Sequence, residues 1–94
     1  MKEAEKEIKR WRRRIDQADR DLVKALAARF QAVKKIGQVK VKWGIPVVQS
    51  TRWNQLMRDR LKLAKKYGVA PALIKKINEL IQKEAVSLQR KKRR

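Results

Sequence analysis

The sequence predicts an all-α protein with three helices per chain, one long and two shorter, in an intertwined homodimeric helical bundle. Two observations favour this fold class. Residues 3–41 contain no proline and only one glycine, and apolar or small residues recur there at alternating three- and four-residue spacing. Two further segments repeat the helical spacing, are separated by glycine and proline, and nowhere alternate as a strand would.

The long helix, residues 3–41, carries a heptad seam. The seam residues are Ile8, Trp11, Ile15, Ala18, Leu22, Ala25, Ala32, Ile36 and Val39. At roughly 1.5 Å per residue the helix is about 58 Å long. A compact domain of this size has a radius of gyration of only about 12 Å. Its own chain cannot cover such a rod, so we expect a second copy to pack beside it.

Arg29 interrupts this seam. A guanidinium in a buried stripe is costly unless an anion pairs with it, and no acid lies three or four residues away. One interpretation is that the helix rotates locally and Arg29 extends to water. The other is that Arg29 binds an anionic ligand.

Two shorter helices follow a loop that Gly44 and Pro46 mark. Ser50 is the expected N-cap of the second helix, residues 51–66, and Gly68 its C-terminal cap. Its expected inward residues are Trp53, Leu56, Met57, Leu61 and Ala64. The third helix is expected from Pro71 to about residue 90, with Leu73, Ile74, Ile77, Leu80, Ile81, Ala85 and Leu88 facing inward. The whole chain, 1–94, is predicted to be one domain with a solvated basic tail at about 90–94.

Composition excludes several classes of protein. The sequence has no cysteine and no histidine, so we expect no disulfide, no zinc site, no other metal and no cofactor. No apolar run approaches the roughly 20 residues that span a bilayer, and the N-terminus does not resemble a signal peptide. We therefore expect a cytoplasmic protein that makes no membrane contact.

The charge is strongly positive, with 28 Lys and Arg residues against 9 Asp and Glu residues and a formal net charge of +19. Such a surface attracts polyanions without specificity. A non-catalytic, basic helical nucleic-acid-binding protein is therefore one possible interpretation. Against it, the sequence has no recognised binding motif and few aromatic residues.

The cations of the long helix predict an anion site. Arg29 and Lys40 lie 11 residues apart, which places them on one face about 16 Å apart. Arg12 points about 100° away from Arg29 and could reach the same ligand only from an antiparallel partner helix. Arg52, in the first turn of the second helix, and Gln89, beside the inward stripe of the third, could join the site. A dimer would then hold two sites, each with Arg12 from the other chain.

The parts of most catalytic mechanisms are missing. The sequence shows no paired carboxylates, no nucleophile beside a base and no glycine-rich phosphate loop. A cationic pocket lined by donors can bind a dianion and accelerate a reaction that needs only restraint and charge stabilisation. An intramolecular rearrangement fits that description.

Over about residues 8–90 the chain resembles the all-helical (AroQ-type) chorismate mutases. The resemblance lies in residues 11–19 (WRRRIDQAD), 26–29 (LAAR), 36–40 (IGQVK) and 45–47 (IPV), together with Arg52, residues 80–81 and Gln89. It implies a homodimer that converts chorismate to prephenate by a Claisen rearrangement. By the same resemblance, the partner's Arg12 and this chain's Arg29 would hold the two carboxylates. Lys40 and Gln89 would donate to the ether oxygen, and Arg52 would position the substrate.

Three substrate-binding positions depart from the pattern of the resemblance. Gln49 stands where better-known members have an acid, Trp53 where they have a glutamate, and Ala85 where they have a serine. The loss of one hydrogen bond to the substrate hydroxyl would cost about 1 kcal/mol. Ala70, Ala85 and the small number of acids are typical of an engineered sequence. Two other interpretations stay open, an isochorismate pyruvate lyase on the same scaffold and a relative that folds without catalysing.

Overall fold

The computed structural model describes residues 1–91. Helix α1 (Lys2–Trp43) is followed by α2 (Ser50–Lys66) and α3 (Pro71–Lys91), and residues 1–91 contain no strand. The predicted all-α class, with one long and two shorter helices, is confirmed. Residues 92–94 of the expected basic tail lie outside the described residues. Within the described part, no helix is long and apolar enough to cross a membrane.

Helix α1 begins one residue earlier and ends two residues later than the predicted 3–41. Glu3 and Glu5 lie in its first turn and Lys40 and Lys42 in its last, so both ends carry the charges that oppose the helix dipole. Two hydrogen bonds close the C-terminus, from the amide of Ile45 to the carbonyl of Lys40 (2.8 Å) and from Gly44 to Val41 (3.4 Å). Gly44 has φ 64°, which completes a Schellman cap.

The start of α2 differs from the prediction. Gln49, not Ser50, is the N-cap, and Ser50 is already the first helical residue. Gln49 has an extended backbone, and its carbonyl accepts the amide of Trp53 at 3.1 Å. Because no side-chain hydrogen bond caps this end, the backbone conformation of Gln49 alone sets the start.

The end of α2 confirms the expected role of Gly68. This residue has φ 70°, and its amide reaches the carbonyl of Lys65 while that of Val69 reaches Ala64 at 2.8 Å. The cap has the same Schellman pattern as that of α1. Two residues later, the carbonyl of Ala70 accepts the first amides of α3 (from Leu73 at 3.1 Å and Ile74 at 3.2 Å).

The chain divides into two compact units, and the division falls inside α1, after Ala32. The N-terminal unit, residues 1–32, is helical from Lys2 onwards. Its large seam side chains are exposed in the single chain, from 47% for Ile8 to 57% for Ile15. Here only Ala4, Leu26, Arg29 and Phe30 are half-buried.

The C-terminal unit begins at Val33. Helix α2 packs against α3, and the apolar core consists of Val33, Leu56, Ala64 and Ala85, each at most 8% exposed. The predicted inward face of α2 is confirmed, since its remaining members, Trp53, Met57 and Leu61, are half-buried.

The predicted inward face of α3 is only partly right. Leu73 is 51% and Leu80 is 69% exposed in the single chain, whereas Asn78 and Gln89 are buried. Leu80 lies about 200° around the helix from Asn78, so the two cannot share a face. The burial of Asn78 is tolerated because its side-chain amide donates to the carbonyl of Ile74 at 2.9 Å.

Candidate active site

Lys40 is the centre of the polar contacts in the C-terminal unit. Its ammonium group donates to the backbone carbonyl of Val47 at 2.7 Å and to the side-chain oxygen of Gln89 at 2.8 Å. Both acceptors are neutral, and both bonds are partly buried. Since a charged donor makes stronger hydrogen bonds than a neutral one, the two contacts fix the end of a long, otherwise flexible side chain.

The bond to Lys40 also orients Gln89. A lysine ammonium only donates, so the carboxamide of Gln89 turns its oxygen, and not its amide nitrogen, towards Lys40. Gln89 is only 7% exposed, which restricts its rotation. The amide nitrogen is therefore a donor of fixed orientation next to a cation.

Three segments that are distant in sequence bring these groups together. Lys40 lies in the last turn of α1, and its own carbonyl belongs to the Schellman cap that ends the helix. The chain reverses at Gly44 and brings Val47 back to the Lys40 side chain, seven residues on. Gln89 lies near the end of α3, 49 residues away. The site thus depends on the cap of α1 as well as on the packing of α3.

Helix α3 reaches Lys40 at the level of Gly37. A Cβ added to Gly37 would lie 3.2 Å from the Cγ of Gln89 and 3.4 Å from its Cα. Neither Gly37 nor the Val47 carbonyl is among the site residues predicted from the sequence. A glycine inside a helix costs about 1 kcal/mol relative to alanine, and that cost was the available signal for Gly37. The sequence cannot single out the Val47 carbonyl, because every residue has a backbone carbonyl.

The other predicted site residues fall in both units. Arg12 and Arg29 belong to the N-terminal unit, where Arg12 is exposed and Arg29 is half-buried. In the C-terminal unit, Gln49 is the exposed N-cap of α2, Arg52 is exposed in its first turn, and Trp53 is half-buried. Ala85 is 3% exposed and lies one helical turn before Gln89. Of the whole predicted set, the structure joins Lys40 and Gln89 by a direct contact.

Two surface pockets of the C-terminal unit lie elsewhere. One, of about 280 Å³, is lined by Arg60, Leu63, Ala64, Tyr67, Val69, Ile74 and Asn78. The other, of about 460 Å³, is lined by Lys83, Val86, Ser87, Arg90 and Lys91. Lys40 and Gln89 line neither of these two pockets.

An ammonium group and a carboxamide N–H beside one another can donate to the same ligand oxygen. Such donors stabilise negative charge that grows during a reaction, and their fixed orientation means that no reorganisation is needed at that moment. Within residues 1–91, no group of three His, Cys, Asp or Glu side chains is placed to hold a metal ion. The arrangement suits electrostatic stabilisation of an anionic oxygen.

Comparison with known proteins gives a consistent result. The family model described as chorismate mutase type II matches residues 11–90. The T-protein of Enterobacter agglomerans is 32% identical over 79 residues, which cover 84% of this chain and 21% of that protein. The T-protein of Haemophilus influenzae is 30% identical over 78 residues, 83% of this chain and 21% of that protein.

The chain thus spans about a fifth of the length of the curated relatives it matches. The matched segment includes Lys40 and Gln89, and it extends from Trp11 in the seam of α1 to Arg90 in the last turn of α3. These matches favour neither the lyase nor the nucleic-acid-binding interpretation. On the family model, which covers most of the sequence, the chain belongs to the chorismate mutase type II family.

Proposed function

We propose that this chain is a chorismate mutase, an isomerase of aromatic amino acid biosynthesis that converts chorismate to prephenate. The observation that carries the proposal is the hydrogen-bonded pair of Lys40 and Gln89, two donors inside a segment that belongs to this family. Membership of the family supports chorismate as the substrate. The pair of Lys40 and Gln89 supports a reaction in which donors stabilise a growing negative charge.

The reaction is an intramolecular Claisen rearrangement. The bond between the ether oxygen and the ring carbon breaks while a new carbon–carbon bond forms, and no proton or electron leaves the molecule. Negative charge grows on the ether oxygen as its bond lengthens. Lys40 and the Gln89 amide donate to that oxygen and stabilise the charge, while Val47 holds the ammonium in place.

Three arginines complete the proposed site. Arg29, which is half-buried, and Arg12 would each hold one substrate carboxylate in a bidentate contact. Arg52 would position the substrate from the first turn of α2, where the helix dipole also favours an anion. Held in this way, the substrate is restrained in the compact conformer that rearranges.

Gln49, Trp53 and Ala85 form the remaining part of the proposed substrate-binding set. Their side chains replace an acid, a glutamate and a serine of the pattern that the chain resembles, so recognition of the substrate hydroxyl is expected to be weaker by about one hydrogen bond. This loss raises KM more than it lowers kcat. Ala70 and Ala85, together with the small number of acids, are the reason to propose an engineered origin.

We further propose a homodimer in which each site takes Arg12 from the partner chain. The support is the exposed seam of the N-terminal unit, where Trp11, Ile15 and Leu22 are each more than half exposed. Apolar side chains repeated at heptad spacing are typical of a helix that packs on another. We also propose that residues 1–94 form a single domain. We propose a cytoplasmic location as well, with which a sequence without cysteine is consistent.

The test is chorismate turnover by the wild-type chain, Lys40→Met and Lys42→Met, followed by ultraviolet absorbance with the product identified. Lys42 is the matched control, because it is an exposed lysine in the same last turn that lies 5.5 Å from the Trp43 ring. We expect prephenate, with kcat/KM lowered by about 100-fold or more in Lys40→Met and within about twofold of wild type in Lys42→Met.

Three results would contradict the proposal. If circular dichroism shows that the wild-type chain is folded and chorismate stays unchanged, the proposed activity is wrong. Release of pyruvate from isochorismate, without prephenate from chorismate, would assign a lyase. Equal losses in both lysine variants would show that general positive charge matters and the Lys40 contacts do not.

A further inference from the structure

We infer that Gly37 is a positioning residue that sets where Gln89 holds its carboxamide, an inference that rests on the proposed mutase function. The backbone of α3 comes close to α1 at this point. A Cβ on Gly37 would lie 3.2 Å from the Cγ of Gln89, 3.4 Å from its Cα and 3.6 Å from its Cβ. The first two distances are at or below the lower limit of ordinary carbon–carbon contact.

The missing side chain, and not backbone freedom, explains glycine at position 37. Gly44 and Gly68 have φ of 64° and 70°, where other residues are strained, and a Cβ at either would meet nothing within 4 Å. Gly37 has no positive φ and lies inside α1, where alanine would form the helix better. What position 37 requires is space for Gln89.

That space connects directly to the proposed catalytic pair. Gly37 and Lys40 are three residues apart on α1 and therefore share a face. Gln89 lies across both, with its Cα and Cγ against Gly37 and its side-chain oxygen 2.8 Å from the Lys40 ammonium. Since the Cγ carries the carboxamide carbon, any displacement of the Cγ moves the amide donor as well.

A methyl group at position 37 would push the Cγ of Gln89 outward by a few tenths of an ångström, because 3.2 Å is too short for an unstrained contact. The Gln89 amide donor would then be displaced from the ether oxygen, whereas the three atoms nearest to the added Cβ include none from the arginines proposed to bind the carboxylates. Small displacements of catalytic groups lower the rate steeply. We expect Gly37→Ala to lower kcat about tenfold and to leave KM within about twofold.

The experiment is a double-mutant cycle of Gly37→Ala and Gln89→Ala, with chorismate kinetics and circular dichroism on every variant. If Gly37 acts through Gln89, the alanine at 37 lowers kcat in the wild-type background and has no further effect when Gln89 is alanine. Gln38→Ala, an exposed substitution one residue along the same helix, is the control and should match the wild type.

A second readout does not depend on activity. The side-chain amide resonance of Gln89, assigned by its loss in Gln89→Ala, is expected to move in Gly37→Ala and to stay in place in Gln38→Ala. If the wild type turns over no chorismate, the proposed function is wrong and this resonance still tests the positioning. An unmoved resonance in Gly37→Ala, unchanged kcat, or an equal loss of kcat in the Gln89→Ala background would each overturn the role of Gly37.

Discussion

At the scale of single residues, the site is built from a flexible cation held by neutral groups. Lys40 donates to a backbone carbonyl and a carboxamide oxygen. Neutral acceptors orient the ammonium without cancelling its charge, as a carboxylate would. The ammonium therefore keeps its positive charge in these two contacts. The partly buried setting strengthens its effect, since the local dielectric is lower than that of water.

The Gln89 amide can be tested separately from Lys40. Gln89→Leu keeps a side chain of similar volume at a position that is 7% exposed and removes the donor. We expect kcat/KM to fall by about 100-fold, the usual effect of deleting one donor to a growing anion. The free energy of unfolding should change by only about 1 kcal/mol, because water can replace one acceptor of the half-buried Lys40.

The measurement is steady-state kinetics together with urea unfolding. Gln55→Leu, at an exposed position of α2, is the matched control and should leave kcat/KM unchanged. A Gln89→Leu enzyme of wild-type rate would show that its amide takes no part in the reaction.

The sequence identified part of this arrangement. The helical positions group Lys40 with Arg29 and place Gln89 where it could join them, and the resemblance assigns Lys40 and Gln89 to the ether oxygen. The structure shows the two side chains in contact, and their roles stay predictions. The Val47 carbonyl could not be found, because every residue has a carbonyl and only the path of the loop selects this one. Gly37 was visible as an unfavourable residue in a helix, but its reason, the approach of Gln89, depends on how α3 packs.

At the scale of elements, α1 and α2 end in the same way. Each has a Schellman cap with a glycine of positive φ, Gly44 after α1 and Gly68 after α2. The two caps differ in the path of the chain beyond them. The segment after Gly44 returns to Lys40 through Val47, whereas the segment after Gly68 leads into α3.

This pair of glycines gives a matched test. Gly44→Ala and Gly68→Ala should each lower the free energy of unfolding by about 1 kcal/mol, because alanine is strained at positive φ and the added Cβ meets no other atom within 4 Å. Only Gly44→Ala should lower kcat, since it shifts the loop that carries the Val47 carbonyl. Thermal unfolding and chorismate kinetics on both variants measure the two effects. Equal kcat in the two variants would show that the position of the loop with the Val47 carbonyl does not affect the reaction.

Helix boundaries were predicted to within two residues for all three helices, because glycine, proline and apolar spacing act locally. The faces were harder to predict. Within the C-terminal unit, α1 buries Val33 and Gly37, one position along from the predicted seam residues Ala32 and Ile36. Helices approach most closely at small residues, so the seam pattern, which counts apolar side chains, missed the buried stripe that holds Gly37.

At the scale of the whole molecule, two surface features bear on what the protein binds: the net positive charge and the exposed seam of α1. The net charge of +19 favours any polyanion and makes weak, salt-dependent binding to nucleic acid expected as a side effect. The exposed seam of α1 is different, because hydrophobic side chains at heptad spacing are typical of a helix that packs on another helix. The proposed homodimer gives this seam a partner and brings the partner's Arg12 to each site.

Mixing two inactive variants tests that arrangement. If the partner supplies Arg12, a mixed dimer of Arg12→Ala and Lys40→Met chains has one site with both groups intact and one with neither. Random pairing makes about half of the dimers mixed, so about a quarter of wild-type activity should return. Native mass spectrometry measures the mixed species, at about twice the chain mass of 11.1 kDa. Arg12 acting within its own chain leaves each site of the mixed dimer with one defect. Mixed dimers that form and stay inactive would therefore place Arg12 in its own site.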